Sequence, residues 1–184
     1  MYFAVVMRKQ IIDNPWVSFK WTPLEVLPDL GQFSQGSDDV SVGQSRKIVG
    51  RFLERDSCGE SWLFTGYELK LFPDEAEGYY LNVSSPGPCW FVMWRLEEDP
   101  SPYLEPRSLL VPRSEVSLAI PHRICLSYNE AARLIDGGEF VDAIKVGDEH
   151  KAWLQSYVDS HYHPEPKRRQ KPASFKGAVR PAEN

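Results

Sequence analysis

Residues 75–95 read EAEGYYLNVSSPGPCWFVMWR, and they place Tyr79, Tyr80, Trp90, Phe91 and Trp94 on either side of a Ser-Ser-Pro-Gly-Pro breaker. Aromatic and β-branched residues suit a half-buried pleated surface, and Ser84–Pro88 punctuates them, so the stretch reads as two strands, Tyr79–Val83 and Trp90–Leu96, joined by a tight connection. Outward from it the dominant period is two. Val17, Phe19 and Trp21 alternate with Ser18 and Lys20; Leu63, Thr65, Tyr67, Leu69 and Leu71 line one face of a longer strand whose other face carries Trp62, Phe64, Glu68 and Lys70. Phe3–Arg8, Lys47–Leu53 and Glu115–Cys125 read as further strands, the last interrupted or placed at an edge by Pro121. Two polar stretches, Gly31–Gln44 and Glu97–Pro106, read as loops.

The period changes at Ser127. Ser127 and Glu130 make a capping-box pattern, in which the hydroxyl takes a first-turn N–H and the carboxylate reaches back to the cap residue. Gly137 and Gly138 supply a left-handed stop, which predicts a short helix over Tyr128–Asp136. Trp153, Leu154, Tyr157, Val158 and His161 then recur at helical spacing, predicting a second helix from about Asp148 to Tyr162 that Pro164 ends. Strands first and helices last give an α+β fold: an antiparallel sheet or partly open barrel from the N-terminal two thirds, then two helices.

A chain of 184 residues with 42% hydrophobic content supports one domain, expected over 1–163. Pro164–Asn184 carries Lys167, Arg168, Arg169, Lys171, Lys176 and Arg180 against Glu165 and Glu183, a net +4; the whole chain is −5, so residues 1–163 carry −9. Apolar-poor and proline-rich, that tail is expected to be disordered. It serves either as a solubilising terminus or as an electrostatic arm, with Lys167, Arg168 and Arg169 as its densest cations. Nucleic-acid binding has little else to support it. No apolar run approaches the ~20 residues of a membrane span, and the opening MYFAVVMRKQ lacks a signal-peptide pattern, so a cytoplasmic location without membrane association is expected. Cys58, Cys89 and Cys125 are odd in number and far apart, which argues against a disulfide framework or a paired-thiolate metal site.

Motifs for phosphate-cradling loops, dinucleotide binding and nucleophile elbows are missing from the sequence. His161 and His163 have no obvious third ligand. Asp74, Glu75 and Glu77 read as solvated carboxylates in a turn, and Cys89 as a packed small residue; neither cofactor nor metal is expected. One arrangement keeps chemistry open, a pocket lined by Tyr79, Tyr80, Trp90 and Trp94 with Cys89 or the Asp74–Glu77 carboxylates at work in it. Tyr79, Tyr80, Cys89, Trp90 and Trp94 are therefore the candidate surface on the body, and Lys167, Arg168 and Arg169 the candidate surface on the tail.

Four stretches taken together carry a resemblance: VVMRKQIIDNPWVSFKWTPLEVLP (5–28), YELKLFPDEAEGYYLNVSSPGPCWFVMWR (67–95), SYNEAARLIDGGEFVDAI (127–144) and HYHPEPKRR (161–169). In this order they resemble a bacterial domain family of unknown function encoded beside formate dehydrogenase genes and sometimes labelled as molybdopterin–guanine dinucleotide biosynthesis proteins. The resemblance implies a non-catalytic accessory or assembly role in maturing a molybdenum- or tungsten-dependent formate dehydrogenase, with that enzyme or a cofactor-maturation protein as partner. It carries over no catalytic residues. The alternative is a small enzyme of molybdopterin cofactor biosynthesis or maturation. Nucleotidyl transfer of the labelled kind needs a Gly-rich phosphate loop, yet no glycine precedes Gly31.

Overall fold

Alternating apolar residues in Phe3, Val5 and Met7 set the inward face of β1 (Tyr2–Ile11), which pairs with β2 (Phe19–Pro28) on one side and β4 (Gly59–Glu68) on the other. Strand β3 (Val49–Asp56) adds to β4, giving a four-stranded antiparallel sheet in the order β2-β1-β4-β3. This computed structural model describes residues 1–33, 46–112 and 117–164. Most of the expected Gly31–Gln44 loop, the start of the Glu115–Cys125 strand and all of 165–184 lie outside those residues.

A second antiparallel sheet follows, of β5 (Cys89–Glu97), β6 (Leu118–Cys125) and β7 (Phe140–Lys145) in the order β6-β5-β7. Pro121 does put β6 at an edge, and the register shifts there because Met93 faces Arg123 while Trp94 faces Pro121. Among the described residues the two sheets form no closed barrel. They share one core, in which Phe3, Val5, Trp62 and Phe64 meet Trp90, Val92 and Ile120. Lys9 and Glu60 are buried on the same inward face, 4.0 Å apart; Arg55 also reaches Glu60 at 2.8 Å, and the Lys9 ammonium lies 4.2 Å from the centre of the Phe19 ring.

Among the described residues four helices complete the α+β architecture: α1 (Ala76–Val83), the single-turn α2 (Pro106–Leu109), α3 (Tyr128–Asp136) and α4 (Asp148–His161). Helix α3 starts and stops where Ser127 and the glycine pair place it: the Ser127 hydroxyl accepts from the Glu130 N–H at 3.1 Å, and Gly138 takes the left-handed turn at φ 83°. The reciprocal half of the capping box is replaced, since the Glu130 carboxylate pairs with Arg123. Helix α4 seats Leu154 and Val158 in the shared core, each such burial contributing about 1.5–3 kcal/mol.

Two expectations need correction. Tyr79–Val83 is not a strand; it lies in α1, whose buried residues Ala76, Tyr79, Asn82 and Val83 follow helical spacing. A 3₁₀ turn at Pro73–Glu75 starts that helix, and Ser84–Pro88 ends it instead of turning a hairpin. Strand β7 separates the two C-terminal helices where only helix was expected. The face of Trp90, Val92, Trp94 and Leu96 enters the core only at its first half: Trp94 is half-buried and Leu96 is 47% exposed.

Candidate functional site

Helix α1 is held against the start of β5 and the end of β6 by one buried side chain. Asn82, 1% exposed, donates through Nδ2 to the carbonyls of Cys89 and Leu126, both at 2.8 Å, and accepts the Cys89 N–H at 3.0 Å. One amide thereby satisfies three backbone groups from two strands. A turn earlier, Gly78 faces Ser127 so closely that a Cβ there would lie 2.1 Å from the hydroxyl oxygen. Ser127 donates to Glu75 at 2.6 Å, and Arg133 of α3 bonds the other oxygen of the same carboxylate. The Glu75-to-Asn82 motif and the SYNEAARL motif are thus two halves of one clasp.

Burial would push Glu75 up, but the Ser127 hydroxyl and the Arg133 guanidinium outweigh it and hold the carboxyl below its ordinary value. Glu130, half-buried in the first turn of α3, goes the other way. Burial raises it and Arg123, at 2.5 Å, only partly compensates. Its Oε1 is enclosed and ion-paired with Arg123, although no well-directed hydrogen bond reaches it.

The sequence-derived candidates do not converge. Tyr79 is buried, edge-on to Tyr157, with its hydroxyl pushed up to about 12 by burial; Tyr80, one residue on, turns outward and stacks on Tyr162 with ring centres 4.7 Å apart. Trp90 is 2% exposed among Phe3 and His150, within the filled core. Trp94 stacks on Phe140 at the sheet margin and donates through Nε1 to Asp142 at 2.8 Å. Half-buried Cys89 has its thiol pushed up by desolvation, the opposite of what a thiolate nucleophile needs. Lys167, Arg168 and Arg169 lie outside the described residues.

What the described surface does contain is a pair of adjoining clefts between β6 and the chain leaving β4. The larger, about 410 Å³, is walled by Gly66–Lys70 on one side and His122–Leu126 on the other; the smaller, about 300 Å³, adds Asp74, Glu75, Arg133 and Leu134. Phe72, Arg123 and Glu130 belong to both. Of the sequence candidates among the described residues only Tyr79 reaches them, together with the acidic residues Asp74 and Glu75. Arg123 and Phe72 escaped sequence reading because a single arginine in a strand and a phenylalanine before a Pro-Asp turn look like ordinary surface and core.

Among the described residues no group of three or more His, Cys, Asp or Glu side chains is placed to hold a metal ion, and no helix is long and apolar enough to cross a membrane. Two antiparallel sheets over one core, a polar clasp and a charged cleft define an α+β protein whose signature motifs serve its architecture. Over residues 2–171 the chain matches, and belongs to, the family described as "Protein of unknown function (DUF3305)". No curated protein and no solved structure matches it.

Proposed function

We propose that the protein is a non-catalytic accessory or assembly factor in the maturation of a molybdenum- or tungsten-dependent formate dehydrogenase, acting in the cytoplasm. The observation that carries the non-catalytic part is the use of Glu75, Gly78, Asn82 and Ser127 as a clasp: the polar groups of its most distinctive motifs bond one another and the backbone. Trp90, which would have lined an aromatic pocket, is core, and Cys89 has no feature that activates a thiol. The partner rests on the sequence resemblance alone. Formate dehydrogenase itself or a cofactor-maturation protein is the binding partner in this reading, with Lys167, Arg168 and Arg169 supplying electrostatic attraction.

The test is removal of the gene from a host grown under formate-dehydrogenase-inducing conditions, with enzyme activity and molybdopterin content measured, and a tagged pull-down at low and moderate salt. Loss of activity with normal cofactor content, and salt-sensitive capture of the enzyme, is expected. Unchanged activity together with no capture would sink the proposal. A second reading, a small enzyme of molybdopterin cofactor biosynthesis or maturation, is favoured by the cleft around Glu130; it predicts that cofactor content falls and that Glu130→Gln abolishes function without changing capture.

A further inference from the structure

We propose that the adjoining clefts along β6 are one binding site for a small organic anion, with Arg123 and Arg133 receiving its acidic group and Phe72 its ring-sized apolar body. The site lies apart from the formate dehydrogenase reading and stands without it. Phe72 and Arg123 form the wall common to both clefts, so one ligand can touch a ring and a guanidinium at once. The larger cleft, about 410 Å³, is in the size range of small-molecule sites. Phe72 is 51% exposed there, an apolar ring set among charges.

Arg123 and Arg133 are available although each is ion-paired. Their side chains are 57% and 61% exposed against 14% and 20% for the Glu130 and Glu75 carboxylates, so each guanidinium keeps donors turned to water that an incoming anion can share, while full displacement leaves a mostly buried carboxylate behind. A guanidinium offers a planar fork that matches a carboxylate, phosphate or sulfonate. The body as a whole is strongly acidic, which repels anions elsewhere; along the clefts Arg46, Lys70, Arg123 and Arg133 balance Glu68, Asp74, Glu75 and Glu130.

Displacement of Arg123 leaves Glu130 without its partner, so anion uptake brings a proton to that carboxyl. The groups that face Glu130 are Arg123 and Cys125 from β6, Glu75 and Tyr79 from the α1 segment, and Arg133 from its own helix. Cys125 and Tyr79 are both pushed up to about 12 and stay neutral, and Glu75 is held down by Ser127 and Arg133. Glu130 is therefore the group that takes the proton, and binding strengthens as pH falls through its raised pKa. His122, paired with Glu97 at 2.8 Å, also lines the larger cleft.

The experiment titrates the full chain with benzenesulfonate, whose charge is constant with pH, and with sulfate, which lacks the ring. Binding is followed by heteronuclear NMR of backbone amides and arginine Nε–H groups. Saturable shifts at Arg123, Arg133 and the 69–72 amides are expected, with benzenesulfonate about tenfold tighter than sulfate, a difference of ~1.4 kcal/mol. Arg123→Gln should weaken binding about tenfold. Glu130→Gln should bind at least as tightly and lose the Glu130 part of the pH dependence, and Arg8→Gln, remote from the clefts, should change nothing. Melting curves check folding; if Arg123→Gln is unfolded, Phe72→Ala takes its place and should erase the preference for the ring. No saturation by concentrations on the order of 10 mM, undiminished binding by Arg123→Gln, or an unchanged ring preference in Phe72→Ala each overturns the proposal.

Discussion

Replacing Asn82 by Ala removes the side chain that joins α1 to β5 and β6, and the cost can be worked from its contacts. The Cys89 N–H, the Cys89 carbonyl and the Leu126 carbonyl each lose the bond that Asn82 makes with them. A net hydrogen bond is worth about 1 kcal/mol, and a buried group left without a partner costs about 1–3 kcal/mol. Three such groups, in a site already closed to water, give an expected loss of about 3–5 kcal/mol. Urea unfolding with a slope of roughly 2 kcal/mol per molar would then show the midpoint falling by about 2 M. Asn14→Ala is the matched control: the Asn14 carbonyl oxygen accepts one exposed bond from the Trp16 N–H at 2.8 Å, and its loss should cost under ~1 kcal/mol. A midpoint shift for Asn82→Ala no larger than that of Asn14→Ala would refute the clasp as a source of stability.

Gly78→Ala should destabilise by about 1–3 kcal/mol, since the new methyl meets the Ser127 hydroxyl, and Ser127→Ala in the same chain should relieve part of that loss in a double-mutant cycle. Trp90→Ala should cost about 3–5 kcal/mol and Trp94→Ala less, because Trp94 is only half-buried where it packs against the core, stacked on Phe140 and bonded to Asp142; equal losses in thermal melts would contradict the placement of Trp94 at the core margin. Titration by carbon-detected NMR should find Glu130 above and Glu75 below the ordinary carboxylate value of 4.5. A raised carboxyl stabilises the fold below its unfolded pKa and loses that contribution as pH rises through the folded pKa; Glu130→Gln should therefore gain stability relative to the parent as pH rises through that window, while the Glu75 contribution, present above 4.5, disappears as pH falls below it. A thiol reagent should modify exposed Cys58 first and half-buried Cys89 slowly, with buried Cys125 reacting only on unfolding; rapid reaction of Cys125 in the native protein would contradict its burial.

Local chemistry made α3 and α4 legible. Ser127, Glu130 and Gly137–Gly138 act within one helix, and the Leu154–Val158 spacing needs no knowledge of the sheet it packs on. Most strands were legible for the same reason, but their order was not, because no local residue says that β4 lies beside β1 rather than at an edge. Helix α1 was misread where Tyr79, Tyr80 and Val83 favour a strand. Asn82 and Gly78 settle it through Leu126 and Ser127, far along the chain, and tertiary contacts override propensity. A trace was present in the sequence: Ala76, Tyr79 and Val83 are spaced for one helical face, and a lone Asn interrupts the apolar run. At the candidate site, Trp90 reads as a pocket wall but is core, Tyr79 both packs in the core and lines the larger cleft, and Glu130 reads as a cap but is the partner of Arg123. Arg123 stands only seven residues before Glu130, but their meeting depends on how the chain turns from β6 into α3, which neither the strand period nor the helix period states.

The clasp also constrains the order in which the chain can fold. Its bonds span 44 residues from Asn82 to Leu126 and 52 from Glu75 to Ser127, whereas α1 itself is eight residues, too short to persist alone in water. Two of the three Asn82 bonds reach Cys89, seven residues on, but the bonds to Leu126 and Ser127 complete only once β6 is in place, and contacts made that late lie on the native side of a folding barrier. Weakening them leaves the rate of folding nearly as it was and speeds unfolding. The motif that distinguishes this chain thereby sets how long the folded protein lasts.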